Sequence, residues 1–202
     1  WALKVKDFAP IVFDPNVRPS VLGDRAKYIE LVEKWVAISS VVKLSDEDVE
    51  WLFPGQRYET VADRWIANGT ALVIVTCGVN GLVGFTKSGS ERVLGEPVEV
   101  VDTIGAGDTV GAIVVEEILE KGILNLDGEV LKKMLRRAAV AASITCSRAG
   151  AQPPCVHELK KKMLVWVYDS KTMKDMEKRR DFLKEKLNSI ANGCHYYFGI
   201  SD

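Results

Sequence analysis

The segment Asp102-Thr103-Ile104-Gly105-Ala106-Gly107-Asp108 contains the residues of this sequence that are best suited to chemistry. It lies between an apolar run at 98–101, a predicted strand, and a long apolar stretch at 107–121, a predicted helix. Glycine lets the backbone turn tightly and approach a ligand closely. The N–H groups of a first helical turn point toward such a ligand, and the helix dipole favours an anion there. Gly105 and Gly107 therefore predict a phosphate-binding turn, although the Gly-Lys-Ser/Thr ending of a Walker A loop is missing.

Asp108 follows the second glycine and supports two interpretations. A carboxylate here would repel a phosphate that was only bound, but it is suited to take a proton from a hydroxyl whose oxygen attacks phosphorus. The backbone amides would meanwhile stabilise the developing charge. Alternatively, the helix dipole alone favours an aspartate in a first turn. The residues by themselves leave the two interpretations evenly balanced.

Strands and helices that could position this turn alternate along the chain. Apolar or β-branched runs predict strands, and apolar residues at helical spacing predict helices. The predicted strands are 11–13, 38–44, 71–76, 82–86, 91–94 and 98–101, and the predicted helices are 24–37, 45 to about 54, 57–67, 107–121 and 131–146. Ser45, which precedes three acidic residues, is a predicted N-cap. The alternation predicts an α/β fold with a mainly parallel central sheet.

The composition excludes several classes of protein. The 202 residues include 27 Lys and Arg against 28 Asp and Glu, and a net charge of −1 argues against a protein that coats nucleic acid. No run reaches the roughly 18 apolar residues of a membrane-spanning helix, so we expect neither a nucleic-acid nor a membrane partner. The four cysteines form no CxxC pair, which predicts reduced thiols and a cytoplasmic location. Because the chain starts at Trp1, we expect it to begin inside a longer gene product.

Five ordered blocks of the sequence resemble motifs of one kinase family. Asp102 to Asp108 looks like the C-terminal signature of the ribokinase-like (PfkB) carbohydrate kinases. Four more blocks are similar to the family's DPNxR, K-x-S/N-x-x-E, T-x-G-x-x-G and R-x-GA motifs, at residues 13–19, 42–48, 75–81 and 138–151. The DPNxR block resembles the fructokinase-like branch. Chance does not readily explain five blocks in the family's order.

The resemblance implies a ribokinase-like fold, in which helices cover both faces of the sheet, and ATP-dependent phosphorylation of a sugar hydroxyl. By analogy with the family, Asp108 is the catalytic base. The resemblance assigns the anion hole and the nucleotide site to two sets of residues: Gly105, Ala106 and Gly107, and Thr76, Gly78, Gly81, Ala141 and Ala142.

The resemblance also implies metal ions. In the K-x-S/N-x-x-E block the last carboxylate organises Mg²⁺ and its waters around the phosphates, and this sequence has Asp48 where the family usually has Glu. Since aspartate is one methylene shorter, Glu47 or a bridging water would compensate. An acidic first helical turn explains the same residues equally well. Several members need a monovalent cation such as K⁺, and Asp102 with the carbonyl of Ile104 occupies the matching position.

Arg18 and Asn16 lie just after a predicted strand, at the edge of the sheet where α/β proteins form ligand crevices. Both are candidates for contact with the substrate or a phosphate. A structural arginine that pairs with Asp14 is the alternative for Arg18.

The chain divides into two predicted regions. Residues 1–159 correspond to the nucleotide-binding and catalytic half of a ribokinase-like domain, and the half that carries the lid and most sugar contacts has no counterpart here. Residues 160–202 are unmatched, and 163–168 and 171–190 are predicted to form a strand and a basic amphipathic helix. Either the sequence is a fragment, or a homo-oligomer or partner chain supplies the other half, or the chain is a relic without activity.

The sequence thus predicts a fructokinase-like sugar kinase whose ligands are ATP, Mg²⁺ and a small-molecule sugar. One alternative is a non-catalytic nucleotide-binding or scaffold subunit. Another is a different PfkB branch, such as the ribokinases, the nucleoside kinases or the 2-keto-3-deoxygluconate kinases.

Overall fold

The computed structural model describes residues 1–169, which contain five strands and seven α-helices. The strands are β1 (Val12–Phe13), β2 (Val41–Ser45), β3 (Leu72–Thr76), β4 (Leu82–Thr86) and β5 (Gly89–Val93). The helices are α1 (Ala2–Val5), α2 (Arg25–Val36), α3 (Asp46–Leu52), α4 (Tyr58–Ala67), α5 (Ala106–Lys121), α6 (Gly128–Cys146) and α7 (Val156–Asp169). Everything up to Pro153 forms one compact unit, and α7 lies in a second.

The strands form a single mixed sheet in the order β1-β2-β3-β4-β5. The pairs β1–β2 and β2–β3 are parallel, and the pairs β3–β4 and β4–β5 are antiparallel. Four of the five strands therefore run in the same direction, since only β4 opposes the others. This confirms the predicted mainly parallel sheet, with a hairpin at one end.

Helices cover both faces of the sheet, as predicted. Alternate strand residues such as Val42 and Val73 pack on one side in a core that includes the fully buried Trp65 of α4. On the other side, Gly84 in β4 leaves room for α6, because a Cβ there would lie 3.0 Å from Leu131 and 3.2 Å from Leu135. The sheet is thus buried on both faces, which explains its continuous apolar strands.

The predicted strand at 98–101 is wrong. Residues 94–100 have no regular secondary structure, and the N–H groups of Val101 and Asp102 donate to the carbonyl oxygen of Cys146, at 2.9 and 3.2 Å. This apolar segment runs past the end of α6 instead of joining the sheet. Pro97 just before it has no N–H to offer to a neighbouring strand.

The second unit contains another correction. The predicted strand at 163–168 lies within α7, so that prediction is wrong. The apolar run belongs to α7, which starts at Val156. Just before this start, the backbone N–H of Cys155 donates to the carboxylate of Glu158 at 2.8 Å. The predicted helix at 171–190 lies outside the described residues. None of the helices within 1–169 is long and apolar enough to cross a membrane.

The start of α6 and the presence of α1 also differ from the sequence prediction. The helix α6 begins at Gly128, three residues early, because Asp127 caps it by accepting a hydrogen bond from the Gly128 N–H at 2.8 Å. The four-residue α1 was not predicted, since it is too short to show helical spacing.

Candidate active site

The turn that opens α5 has the geometry of an anion-binding helix terminus. Gly105 is the N-cap, with a left-handed φ of 79°, a conformation that favours glycine. The backbone there also passes close to the turn after α6, since a Cβ at Gly105 would lie 2.7 Å from the Cβ of Ala151. Thr109 fixes the first turn by donating its hydroxyl to the Gly105 carbonyl at 2.8 Å. The first N–H groups of a 16-residue helix are therefore presented at a rigid, half-buried turn.

Asp108 lies in this first turn and is exposed. The next two residues, Thr109 and Val110, are buried and anchor α5 to the rest of the unit. Thr109 reaches the hydroxyl of Thr145 in α6 at 2.9 Å, so the start of α5 meets the end of α6. The carboxylate of Asp108 accepts no hydrogen bond from any residue of 1–169, which leaves its lone pairs available.

Two adjoining clefts meet at this turn. We call the first the polar cleft; it has a volume of about 510 Å³ and is lined by Asp14, Asn16, Val17, Arg18, Pro19, Lys43, Ser45, Asp46, Glu47, Asp48, Trp51, Thr76, Gly78, Thr103 and Gly107. The second, the apolar cleft, has a volume of about 260 Å³ and is lined by Thr76, Gly78, Val79, Gly81, Leu82, Gly95, Glu96, Val98, Val100, Thr103, Ala106, Gly107, Val110, Ala139, Ala142, Ser143 and Cys146. Four residues line both clefts: Thr76, Gly78, Thr103 and Gly107.

A buried ammonium group lies directly behind the turn that opens α5. The Lys43 side chain, only 7% exposed, forms an ion pair with Asp14. Its Nζ also lies against α5, because a Cβ at Gly107 would be 2.9 Å from it. The glycine at 107 therefore lets a positive charge approach the first turn of α5, where it adds to the field of the helix dipole.

Arg18 and Asn16 line the polar cleft with exposed side chains. The guanidinium of Arg18 donates to the Val17 carbonyl at 3.0 Å, and Asp14 is paired with Lys43. The structural alternative for Arg18, a pair with Asp14, is therefore wrong. Asn16 has a left-handed φ of 44°, in a turn in which its N–H donates to Asp14 at 3.0 Å.

Asp48 helps to cap the N-terminus of α3. Ser45 and Asp48 form a capping box at the start of α3, which confirms Ser45 as the N-cap. The two carboxylate oxygens of Asp48 accept hydrogen bonds from the N–H groups of Val17 at 3.1 Å and Ser45 at 2.8 Å. The carboxylate thereby joins α3 to the loop after β1, on the wall of the polar cleft.

Asp102 ties the loop before α5 to the turn after α6. It accepts hydrogen bonds from the N–H of Ile104 at 3.0 Å and the N–H of Gly150 at 2.9 Å. These two donors hold the pKa of Asp102 below the usual range of an aspartate, so the group is anionic at neutral pH. Asp102 lines neither cleft.

The known proteins that resemble this chain identify its family. The model of the pfkB family carbohydrate kinases matches residues 1–159, more than half of the chain. The chain belongs to this family.

One relative is a fructokinase of Rhizobium leguminosarum bv. trifolii, 34% identical over 128 residues, or 60% of this chain and 39% of that protein. Aminoimidazole riboside kinase from Salmonella enterica, solved with aminoimidazole riboside and an ATP analogue, has a similar structure, with a TM-score of 0.70 at 20% identity. The similarity covers 80% of this chain and 55% of that chain.

A double mutant of a fructokinase from Vibrio cholerae O395, with fructose, ADP and a potassium ion bound, has a TM-score of 0.65 at 24% identity, over 74% of this chain and 48% of that one. These similarities confirm the ribokinase-like fold. This PfkB chain spans about half, or less, of the length of these relatives.

The structure brings most of the expected site residues to the two clefts, but Asp108, Gly105 and Asp102 line neither of them. Gly81 lines the apolar cleft at a φ of 89°, where a Cβ would lie 2.6 Å from the backbone nitrogen of Gly95. Ala142 also lines it, whereas Ala141 is fully buried and does not. The two alanines point in different directions from α6, so only Ala142 lies at the cleft.

Two charged residues at the clefts are not among the site residues that the sequence predicts. Lys43 lines the polar cleft, and Glu96 lines the apolar cleft. A signal existed for Lys43, since it interrupts the apolar strand 41–44, where a buried charge needs a partner. For Glu96 no local pattern points to the cleft.

Proposed function

We propose that this chain carries the nucleotide-binding and catalytic half of an ATP-dependent sugar kinase, with Asp108 as the catalytic base. The observation that carries the proposal is the position of the α5 N-terminus, where the apolar and polar clefts adjoin, with the exposed carboxylate of Asp108 in the same helical turn. Membership of the PfkB family supports the reaction class.

The two clefts differ in a way that suits two substrates. The apolar cleft fits the nucleoside part of ATP, because base and ribose rings are buried well by small and apolar side chains. The polar cleft, with Arg18 and Lys43 on its wall, fits the phosphates and the sugar. A γ-phosphate at the boundary would meet the amides of Gly105 to Gly107.

In the proposed reaction a sugar hydroxyl oxygen attacks the γ-phosphorus of ATP. A P–O bond forms to the sugar, the bond to the β-phosphate oxygen breaks, and ADP leaves with that electron pair. The hydroxyl proton passes to the carboxylate of Asp108. The first N–H groups of α5 stabilise charge on the transferred group, and the buried ammonium of Lys43 strengthens that field.

The acidic wall of the polar cleft fits a magnesium ion held mainly by phosphate oxygens and water. No group of three or more metal-binding side chains is assembled in residues 1–169, so a complete protein cage for a cation is not built there. Asp48 and Glu47 line the cleft and would bind water molecules of the ion. When bound, Mg²⁺ neutralises phosphate charge. We also assign a monovalent cation such as K⁺ to the neighbourhood of Asp102 and the Ile104 carbonyl, in line with the potassium described for the Vibrio fructokinase.

Fructose is the sugar we propose to test first. The support is the fructokinase relative at 34% identity, together with the DPNxR block. The full-length protein should transfer phosphate from ATP to fructose in preference to ribose, a nucleoside or 2-keto-3-deoxygluconate. A panel of these acceptors, followed by ADP release, measures the preference.

Asp108→Asn should lower kcat by roughly 10²–10⁴ with little change in nucleotide affinity, because the amide cannot accept the proton. Asp63→Asn, an exposed aspartate in α4 that is not part of the turn at 105–108, is the matched control and should leave kcat unchanged. If kcat of Asp108→Asn lay within threefold of the wild-type value, Asp108 would not be the catalytic base. ATP binding without transfer to any acceptor would favour a non-catalytic subunit.

A further inference from the structure

The apolar cleft contains one charged side chain that the proposed reaction does not use. Glu96 lies on its wall with 14% of its side chain exposed, among residues such as Val79, Val98 and Ala139. A carboxylate in such surroundings loses hydration and needs a partner of opposite charge.

That partner is Arg136 of α6, whose side chain is 9% exposed. One nitrogen of its guanidinium forms an ion pair with an oxygen of Glu96, and another donates to the Leu94 carbonyl at 3.3 Å. Arg136 thereby holds both the carboxylate and the backbone that precedes it. The side chain of Glu96 is fixed in direction while part of it still faces the cleft.

Arg136 lies far along α6 from the helix end that adjoins the turn at 105–108. The helix ends at Cys146, whose carbonyl accepts from Val101 and Asp102 just before the anion-binding turn. Arg136 lies ten residues earlier, which is about 15 Å along a helix. With the phosphates at the turn that opens α5, as proposed above, the residue that holds Glu96 is anchored about 15 Å from them along the helix.

We propose that Glu96, oriented by Arg136, accepts a hydrogen bond from the nucleoside part of the phosphoryl donor and so helps to select the nucleotide. This inference rests on the proposed function. The donor group is an N–H of the base or an O–H of the ribose, since both offer a proton to a carboxylate. Glu96 is in this view a specificity-determining residue, and Arg136 is a positioning residue.

Nucleotide analogues in the full-length protein separate these donors. The probes are ATP, purine riboside triphosphate, which lacks the amino group of adenine, and the 2′-deoxy and 3′-deoxy forms of ATP. We expect wild-type KM to rise about tenfold or more for the analogue that lacks the bonded group, and much less for the others. A rise confined to the base analogue identifies the amino group, and a rise confined to a deoxy analogue identifies that hydroxyl. Equal KM values for all four nucleotides would overturn the inference without any variant being made.

Glu96→Gln and Glu96→Asp complete the test. Both should raise KM for ATP with kcat within about twofold, because glutamine offers only a neutral acceptor and aspartate is one methylene too short. Both should therefore discriminate less than the wild type against the analogue that lacks the donor. Glu96→Asp keeps a negative charge opposite Arg136, so this variant still tests the proposal if the glutamine variant folds poorly. A KM that rises by the same factor for every nucleotide would show a merely structural pair and overturn the proposal.

Glu91→Gln is the matched control. Glu91 in β5 pairs with Lys132 of α6 at 3.8 Å, so it also links this sheet edge to α6, but it lines neither cleft. Its analogue profile should equal that of the wild type. An active wild-type enzyme with a flat analogue profile would overturn only the role of Glu96. A wild type that binds no nucleotide and phosphorylates no sugar would overturn the proposed function as well.

Discussion

Lys43 is the charged residue that lies closest to the turn that opens α5. Its ammonium group lies between Asp14 and the backbone of Gly107, and it is almost completely buried. Burying an ammonium without a partner is strongly unfavourable, and the carboxylate of Asp14 supplies that partner. Within the pair the ammonium is the group nearest to Gly107, so the positive end of the pair faces the first turn of α5.

Lys43→Met should lower kcat/KM for ATP by about tenfold or more, because the anion-binding turn loses a nearby positive charge. Steady-state kinetics of the full-length protein, with thermal unfolding to confirm that the variant is folded, measure the effect. Lys132→Met is the control, since Lys132 is half exposed and lies outside both clefts. A folded Lys43→Met enzyme with wild-type kcat/KM would contradict the role of this charge.

Among the helices, α5 is the one whose position is set most clearly by its N-terminus. Its N-cap needs a left-handed backbone, and the turn after α6 lies directly against that residue. The capping box of α3 similarly fixes the opposite wall, since Asp48 holds both its own helix and the loop that contains Val17. The walls of the polar cleft are therefore positioned by helix termini.

Gly105→Ala should destabilise the protein by about 1–3 kcal/mol, because alanine is strained at a φ of 79° and its Cβ would overlap with Ala151. Urea unfolding measures the change. Gly111→Ala, in the middle of α5, has open space around the new methyl group and should stabilise by about 0.5–1 kcal/mol. If both variants had the same stability, neither the strain nor the contact at Gly105 would matter.

For the first unit as a whole, Asp102 links segments that are distant in sequence. It joins the loop before α5 to Gly150, after α6, and its pKa is lowered by the two N–H donors. A depressed pKa in the folded state means that the carboxylate stabilises the fold at pH values above its unfolded pKa, about 3.9. That stabilisation decreases as the pH falls through the lower folded pKa.

Asp102→Asn should therefore be less stable than the wild type at pH 7, and the difference should diminish as the pH falls below about 4. Asparagine can still accept one of the two hydrogen bonds, but its NH₂ cannot accept the other. Chemical denaturation at a series of pH values tests this, with Asp63→Asn as control. A difference that is constant from pH 7 to pH 2.5 would mean that ionisation of Asp102 is not the cause.

The sequence allowed the turn at 105–108, the cap at Ser45 and the layered α/β fold to be predicted, because each depends on neighbouring residues or on a short period. The strand at 98–101 failed for a physical reason: Val98 and Val100 are apolar because they line a cleft. The pairs Lys43–Asp14 and Arg136–Glu96 join residues far apart in the chain, so no local pattern contains them.

The wall that the two clefts have in common has a thermodynamic consequence. Thr76, Gly78, Thr103 and Gly107 belong to both compartments, so a molecule that immobilises them from one side alters the surface offered on the other. Binding in one cleft then changes the affinity of the other cleft for its ligand. By thermodynamic linkage the effect is reciprocal, so each ligand changes the dissociation constant of the other by the same factor.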